Sequence, residues 1–346
     1  MLFKSVVTAL AASFIVTGAA VPQRPIPGLS NYYSDYRGRG RPYPGNETAP
    51  IPATTNGTAG PDDLLYQNLL SAEWAIYEFY QQGVDSFNSS SFTSVGLPNT
   101  TYDRIQEIRN NEAGHLAVFQ SQISSNSLKP GPCKYAFGVD SVEAFLVTLT
   151  LLEIASMGFL TGLAQQAQLN ETKGALTAVA ETESRHNTWA LMDIWDTNPF
   201  AGPTDTSFPY ANEILDSTNQ FIVPGSCPPE NPEYPYPSQN LAQFTYDPKI
   251  NSTLQSGTEI GFVFTTPPPA WNDTQFYYAV FYHGLLNVSM PFNTKTNTTT
   301  IPDFELNKGL IISIIADTPG APTLDTVLAG PVLLVEQPTG AIKQGN

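Results

Sequence analysis

Apolar residues recur at three- and four-residue steps in four successive stretches of the chain, which is the spacing of one face of an α-helix. The pattern predicts helices over residues 62–86, 101–125, 141–168 and 172–197. The third helix is apolar on almost every side between residues 145 and 163, so we expect it to be buried in a bundle. A membrane span is the alternative, but Glu143, Glu153 and the lack of flanking basic anchors argue against it.

From about residue 241 the pattern becomes that of β-strands. Short β-branched and aromatic runs alternate with turns rich in Pro, Gly and Asn. The predicted strands are residues 260–265, 275–282, 310–316 and 327–335. The fold class is therefore α+β, with a four-helix bundle over 62–198, a Pro-rich wrapping segment over 199–240 and a small β-sandwich-like domain over 241–346.

The N-terminal residues 1–20 have the pattern of a secretory signal peptide, with Lys4, an apolar run and small residues at 18–20. The apolar run is too short to span a bilayer, although a signal anchor is the alternative. Residues 21–61 are rich in Pro, Gly, Asn and Thr and have no periodicity, which predicts a disordered linker. We expect a secreted, extracellular protein, with cell-wall association as a further hypothesis.

An exported chain is expected to carry N-linked glycans and disulfides. Candidate glycosylation sites are Asn46, Asn56, Asn88, Asn99, Asn170, Asn251, Asn272, Asn287 and Asn297. The two cysteines, Cys133 and Cys227, are an even pair, so one disulfide is predicted; two buried thiols are the alternative. The formal net charge of −16 repels nucleic acid and anionic membranes, which excludes both as partners.

Two of the three histidines follow a glutamate by three residues, as Glu112–His115 and Glu183–His186. On a helix this spacing places both side chains on one face. Glu73 and Glu153 lie in the helix before each pair, at a matching depth to within a few ångströms for antiparallel neighbours. Two helical hairpins therefore repeat one arrangement. Glu78, Glu107 and Glu181 of these helices are not counted as ligands, and Glu107 and Glu181, which are off this spacing, are predicted to be exposed.

Packing the hairpins face to face brings four carboxylates and two imidazoles into one core. Burying them unpaired costs several kcal/mol each, and basic residues are too few nearby to offset that cost. Two divalent metal ions would balance the charge, with iron or manganese the preferred ions and zinc also accommodated. The alternative is a metal-free bundle with protonated, hydrogen-bonded glutamates. His283 is predicted to be packed or exposed rather than a ligand.

The motifs that carry these residues are Leu70-Ser71-Ala72-Glu73-Trp74, Glu112-Ala113-Gly114-His115, Leu152-Glu153-Ile154 and Glu183-Ser184-Arg185-His186. Together with the surroundings of Cys133 and Cys227, they resemble the ferritin-like family of secreted fungal proteins that includes stress-response, desiccation-related and late sexual-development proteins. The resemblance covers roughly residues 60–240. It implies a ferritin-like bundle whose second and third helices are parallel, so that residues 127–140 must cross the bundle.

The resemblance also implies a role for each ligand. Glu112 and Glu183 would bridge two metal ions, Glu73 and Glu153 would be terminal, and His115 and His186 would each bind one ion.

Two functional hypotheses follow. One is a di-iron or di-manganese oxidoreductase that oxidises ferrous iron or consumes peroxide, with oxygen, peroxide or ferrous iron as its small-molecule partner. The other is a non-enzymatic secreted or cell-surface protein of stress or development, whose site is vestigial or structural. Tyr80, with Tyr66 and Tyr77, could mediate single-electron steps, although tyrosines at this spacing are typical of a core. Sugar or wall binding by the β-domain would rest on analogy alone.

Overall fold

The computed structural model describes residues 49–196, 198–200, 208, 215, 218–234, 241–247, 256–284, 286–304 and 309–336. The predicted signal peptide, residues 21–48 of the predicted linker, and the sequons at Asn46 and Asn251 lie outside these residues. The described part of the chain has an α+β fold, in which a helical bundle is followed by two antiparallel sheets.

The bundle is formed by four long helices, and the positions predicted from the apolar pattern are confirmed to within a few residues. The long helices are α1 (Asp63–Ser86), α3 (Thr101–Gln122), α4 (Val142–Gln166) and α5 (Asn170–Trp189), which continues as a π-helix (Ala190–Ile194). The one-turn helix α2 (Ser89–Thr93) lies between α1 and α3 in the chain. α4 is long and apolar enough to cross a membrane, but 67% of its most apolar window is buried inside the protein. It is a core helix of the bundle, as its apolar circumference predicts.

The connection between α3 and α4 runs along α1 for most of that helix. Three side chains of α1 donate hydrogen bonds to successive carbonyl oxygens of the connection. The pairs are Gln67 with Leu128 (2.7 Å), Trp74 with Pro130 (2.9 Å) and Gln82 with Tyr135 (3.4 Å). Because the connection travels in the direction of α1, α4 starts where α1 ends and runs parallel to α3. The predicted crossover is confirmed.

Two buried aspartates at the start of α1 tie the helix ends together. Asp62 accepts hydrogen bonds from the backbone N–H groups of Gln168 and Leu169, at 2.8 and 3.0 Å, where α5 begins. Asp63 accepts from the backbone N–H of Ser124 at 2.9 Å and from the hydroxyls of Ser124 and Ser127, just after α3. The first turn of α1 is therefore fixed to the ends of α3 and α4.

The chain before α1 is held by the same loop. Ile51 and Lys129 exchange two backbone hydrogen bonds of 3.0 and 2.8 Å, and the N–H groups of Thr54 and Thr55 donate to the carbonyl of Ser125. The prediction of disorder is therefore wrong for residues 49–61. These residues are held by backbone hydrogen bonds to a loop that is distant in sequence. Such bonds do not require a periodic pattern of apolar side chains, so no signal of them is present in the sequence.

Among its described residues, the C-terminal domain has seven strands. They are β1 (Phe244–Asp247), β2 (Glu259–Phe264), β3 (Tyr278–His283), β4 (Leu286–Pro291), β5 (Thr298–Thr300), β6 (Gly309–Ala316) and β7 (Val327–Glu336). They pair as a three-stranded sheet, β1-β2-β5, and a four-stranded sheet, β4-β3-β6-β7, and every pairing is antiparallel. The sequence predicted β2, β3, β6 and β7; it missed the short β1 and β5, and β4.

The four-stranded sheet is buried on both faces. In β3, Ala279 and Phe281 pack into the core between the sheets, whereas Val280 and Tyr282 belong to the apolar cluster of the bundle. Successive side chains of a strand point to opposite faces, so β3 contributes to both cores. Phe208 lies edge-on to Tyr282 with ring centroids 5.3 Å apart, and so helps to fill the space between sheet and helices.

The predicted disulfide between Cys133 and Cys227 is present and joins residues 94 positions apart. It fastens the crossover connection to residues 218–234. Backbone hydrogen bonds run beside it from Val223 to Lys134 (2.9 Å) and from Ala136 to Phe221 (2.8 Å). The Asn231 side chain also bonds both backbone groups of Gly131, at 2.9 and 2.7 Å.

Removal of this disulfide is expected to destabilise the protein. Closing so long a loop restricts the unfolded chain, and loss of such a bond typically costs about 2–5 kcal/mol. The double variant Cys133→Ser, Cys227→Ser should therefore unfold at a lower urea concentration than the oxidised wild type. Reduced wild type is the control and should match the variant. A difference below about 1 kcal/mol would show that the neighbouring hydrogen bonds suffice.

The aspartate at the start of α1 is expected to make stability depend on pH. Burial acts to raise the pKa of Asp63, but hydrogen bonds from Ser124, Ser127 and Gly60 outweigh burial and lower it. A lowered pKa stabilises the fold above the unfolded value of about 3.9, and this contribution is lost as pH falls towards the folded value. At pH 7, Asp63→Asn should cost about 1–3 kcal/mol of unfolding free energy.

Urea titrations at pH 7 and pH 3 would measure this effect. The gap between wild type and Asp63→Asn should narrow at pH 3, because the wild-type carboxyl is then partly protonated in both states. The exposed Asp103 of α3 provides the control, Asp103→Asn, which should change stability little at either pH. A gap that is independent of pH would contradict the role assigned to the ionised Asp63.

Candidate metal centre

The structure brings the six side chains singled out from the sequence into one cluster inside the bundle. Each of the four long helices contributes to it. The residues are Glu73 of α1, Glu112 and His115 of α3, Glu153 of α4, and Glu183 and His186 of α5. All six are buried, and none is more than 7% exposed. They meet because α1 packs along α3 and α4 along α5, so that residues at matching depth face one another.

Each imidazole presents its Nδ1 atom to three carboxylate oxygens. From His115 Nδ1 the distances are 3.0 Å to Glu112 Oε2, 3.2 Å to Glu183 Oε1 and 3.4 Å to Glu73 Oε1. From His186 Nδ1 they are 3.2 Å to Glu112 Oε1, 3.2 Å to Glu153 Oε2 and 3.3 Å to Glu183 Oε2. The two halves of the cluster therefore have the same composition and nearly the same dimensions.

Two carboxylates are common to both halves. Glu112 turns one oxygen to His115 and the other to His186, and Glu183 does the same. Two overlapping sets of four ligand atoms result, and within each set the atoms lie within 4.8 Å of one another. One set adds Glu73 and His115 to the shared pair, and the other adds Glu153 and His186.

The cluster has more acceptors than its donors can satisfy. One Nδ1–H group cannot serve three oxygens, and three buried oxygens lack a hydrogen-bond partner: Glu73 Oε1, Glu112 Oε1 and Glu183 Oε2. Within the described residues, the ion pairs of these four glutamates involve only the two imidazoles and no Lys or Arg. Unsatisfied buried carboxylate oxygens are costly, and a cation is the group that would relieve them.

The pKa values of the outer and shared glutamates shift in opposite directions. Burial raises the pKa of Glu73 and of Glu153 well above the usual value, and the neighbouring carboxylates add to the rise. Burial also acts on Glu112 and Glu183, but the two imidazoles outweigh it and lower the pKa of both. The surroundings therefore favour the ionised form of the shared pair and the protonated form of the outer pair when no metal is bound.

The pKa values of the two imidazoles are shifted as well. Burial acts to lower the pKa of His115 and His186, but the carboxylates around each ring raise it well above the usual value. The surrounding carboxylates therefore favour the imidazolium form of both rings. Two imidazolium rings would offset the two ionised carboxylates of the shared pair.

Two polar side chains hold the ligands of one half in place. The Tyr80 hydroxyl, buried beside α4, donates a hydrogen bond to Glu153 Oε1. Asn111 Nδ2 lies 3.3 Å from His186 Nε2 and donates to the Glu107 carbonyl at 3.1 Å. Tyr80 was among the tyrosines considered from the sequence, but Asn111 was missed. It has no signal of its own, because its contact with His186 is made across two helices.

The remaining candidates lie outside the cluster. Glu181 is exposed, as predicted, whereas Glu107 is half-buried in a surface ion pair with Arg104 and not fully exposed. His283 is buried, with its ring centroid 4.9 Å from that of Phe304, so it takes the packed one of the two positions that the sequence left open.

The residues present fit a pair of divalent ions. The donor set comprises carboxylate oxygens and imidazole nitrogens without thiolates, which suits iron, manganese or zinc. Glu73 and His115 would complete one site on the shared pair Glu112 and Glu183, and Glu153 and His186 would complete the other. Ferritin-like dimetal proteins use one Glu from each of two helices and a Glu-x-x-His motif from each of the other two.

Comparison with known proteins agrees with this geometry. Residues 62–192 match the sequence profile of the ferritin-like domain, and this range contains all six residues of the cluster. Over 206 residues the chain is 25% identical to protein rds1 of Schizosaccharomyces pombe. The match covers 57% of this chain and 48% of that protein, so the chain spans about half the length of the relative. The bundle formed by α1 to α5 is therefore similar to a ferritin-like domain in sequence and in helix arrangement.

Proposed function

We propose that this chain is a secreted ferritin-like protein that binds two divalent metal ions and uses them in redox chemistry. The observation that carries the proposal is the position of Glu112 and Glu183, each of which turns one oxygen to each imidazole. A carboxylate placed between two nitrogen ligands in this way is suited to bridge two ions. A purely structural ion pair does not require a carboxylate that faces two imidazoles.

Charge supports the same proposal. The raised pKa values of Glu73, Glu153, His115 and His186 favour one more proton on each of these groups than in its metal-binding form. Two divalent ions would replace four protons without changing the net charge of the core. Metal binding would then avoid the burial of an uncompensated charge, which is the usual obstacle in an apolar core.

When bound, a pair of redox-active ions supplies electron transfer to or from oxygen, peroxide or ferrous iron. The protein side chains would orient this pair of ions and shield it from water. Tyr80 fixes the carboxylate of Glu153 by its hydrogen bond, and the Asn111 side chain lies against the ring of His186. The burial of all six ligands keeps bulk water away from the cluster. Oxidation of ferrous iron or consumption of peroxide are the activities that this arrangement favours.

The site of action is proposed from the sequence and the family resemblance. The signal-like N-terminus favours secretion, with a role in stress response or development and association with the cell wall. Within the described residues, the candidate sequons are positioned for modification. The exposed ones are Asn56, Asn88, Asn99, Asn170, Asn272 and Asn287, and Asn297 is half-buried.

A non-enzymatic protein is the second candidate, and the charge balance of the cluster favours it. Because two imidazolium rings offset two carboxylates, the bundle can be electrically neutral without any ion. The site would then be vestigial, or the ions would only stabilise the fold.

Substitution of the shared glutamates is expected to abolish metal binding. Glu112→Gln, Glu183→Gln keeps the shape of both side chains but removes the charges common to the two sites. Elemental analysis should find about two ions per wild-type chain and almost none in this variant. The control variant Glu107→Gln, Glu181→Gln changes the same helices outside the cluster and should retain the ions. Equal metal content in the two variants would contradict the proposed site.

Metal binding is expected to release protons and to weaken as pH falls. The raised pKa values of His115, His186, Glu73 and Glu153 mean that these groups are protonated before the ions bind, so acid competes with metal. Calorimetry in buffers of different ionisation enthalpy should report up to about two protons released per ion at pH 7. A proton count near zero would show that the ions bind elsewhere.

Two measurements on metal-loaded protein separate the enzymatic from the structural candidate. Loading should raise the unfolding temperature of the wild type in either case, because the ions bind only the folded state. Turnover of ferrous iron with oxygen, or of peroxide, should exceed that of the same free metal only if the protein is an enzyme. The Glu112→Gln, Glu183→Gln variant should show neither effect.

A further inference from the structure

A cavity lies between the bundle and the β-domain, away from the candidate metal cluster. Its volume is about 400 Å³, and it is lined by one face of α4, the turn at 218–221, β1 and β7. Thr148, Leu151, Leu152 and Ala155 provide the wall on α4. These positions follow the i, i+3, i+4, i+7 spacing of a single helix face, and Glu153 projects from the opposite side. The cavity and the metal cluster therefore lie on opposite sides of α4.

The cavity has the features of a binding site for a small molecule. Its volume falls within the range of about 300–1,000 Å³ that is common for ligand pockets, and it lies between two domains, where such pockets often occur. Leu152 and Phe244 are buried in its wall, whereas Leu151 is 36% exposed at the cavity. Water against so apolar a lining makes few hydrogen bonds, so an apolar ligand would readily displace it.

The lining also limits the chemistry of the occupant. Among the described residues that line the cavity there is no Asp, Glu, Lys, Arg or His. A charged ligand would lose its hydration without gaining an ion pair, so charge is disfavoured. The polar groups present are hydroxyls and amides, which orient a neutral ligand through a few hydrogen bonds.

We propose that this cavity binds an uncharged, mainly apolar small molecule. Binding joins α4 to β1 and β7 and is independent of metal at the cluster. The proposal goes beyond the redox function and does not rest on it.

The test uses prodan, an uncharged naphthyl ketone whose fluorescence shifts to the blue in apolar surroundings, with the full-length protein. Prodan should bind saturably at one molecule per chain. The anionic probe anilinonaphthalene sulfonate should bind at least about tenfold more weakly, because the lining offers no cation. Equal binding of both probes, or a signal that does not saturate, would overturn the proposal.

Two variants locate the probe. Leu151→Trp fills the cavity and should weaken prodan binding at least about tenfold, whereas Val147→Trp, at an exposed position on the same helix outside the lining, should leave it within about twofold. Wild-type affinity in Leu151→Trp, or an equal loss in Val147→Trp, would contradict this site.

Discussion

The structure depends on the cost of placing four carboxylates and two imidazoles in the core of a helical bundle. Such groups are tolerated only if their charges cancel and their polar atoms are paired. The cluster meets the first condition through imidazolium rings that face the shared Glu112 and Glu183. The second condition, paired polar atoms, is not fully met, because three carboxylate oxygens accept no hydrogen bond. A pair of ions meets both conditions at once, which explains why the six ligands fit a dimetal centre better than a purely structural network.

The rest of the bundle keeps the four helices at the depth that this cluster requires. The crossover along α1 makes α3 and α4 parallel, so the two helical hairpins approach with their glutamates level. Asp62 and Asp63 fix the other end of the bundle by bonding the chain after α4 and after α3. The disulfide then holds the crossover against the segment that follows the helices. A shift of one helical turn, about 5.4 Å, would separate the two halves of the cluster.

The β-domain is part of the same packing rather than an appendage. Its four-stranded sheet contributes Val280 and Tyr282 to the apolar cluster of the bundle, and its opposite face covers the core between the two sheets. α4 consequently serves two purposes. One side presents Glu153 to the metal cluster, and the other lines a cavity shared with β1 and β7. The dense apolar composition of α4 follows from burial on both sides.

The sequence by itself determined the elements with a strong period and the six residues that meet in the cluster. Four helices, four of the seven strands, the paired Glu-x-x-His motifs and the cysteine pair could be predicted, because each is encoded by spacing along the chain. Only the tertiary structure decided that Glu112 and Glu183 each face both imidazoles, that Asn111 reaches His186, that residues 49–61 are ordered, and that a cavity separates α4 from β1. These features arise from contacts between segments far apart in sequence, and local periodicity carries no information about such contacts.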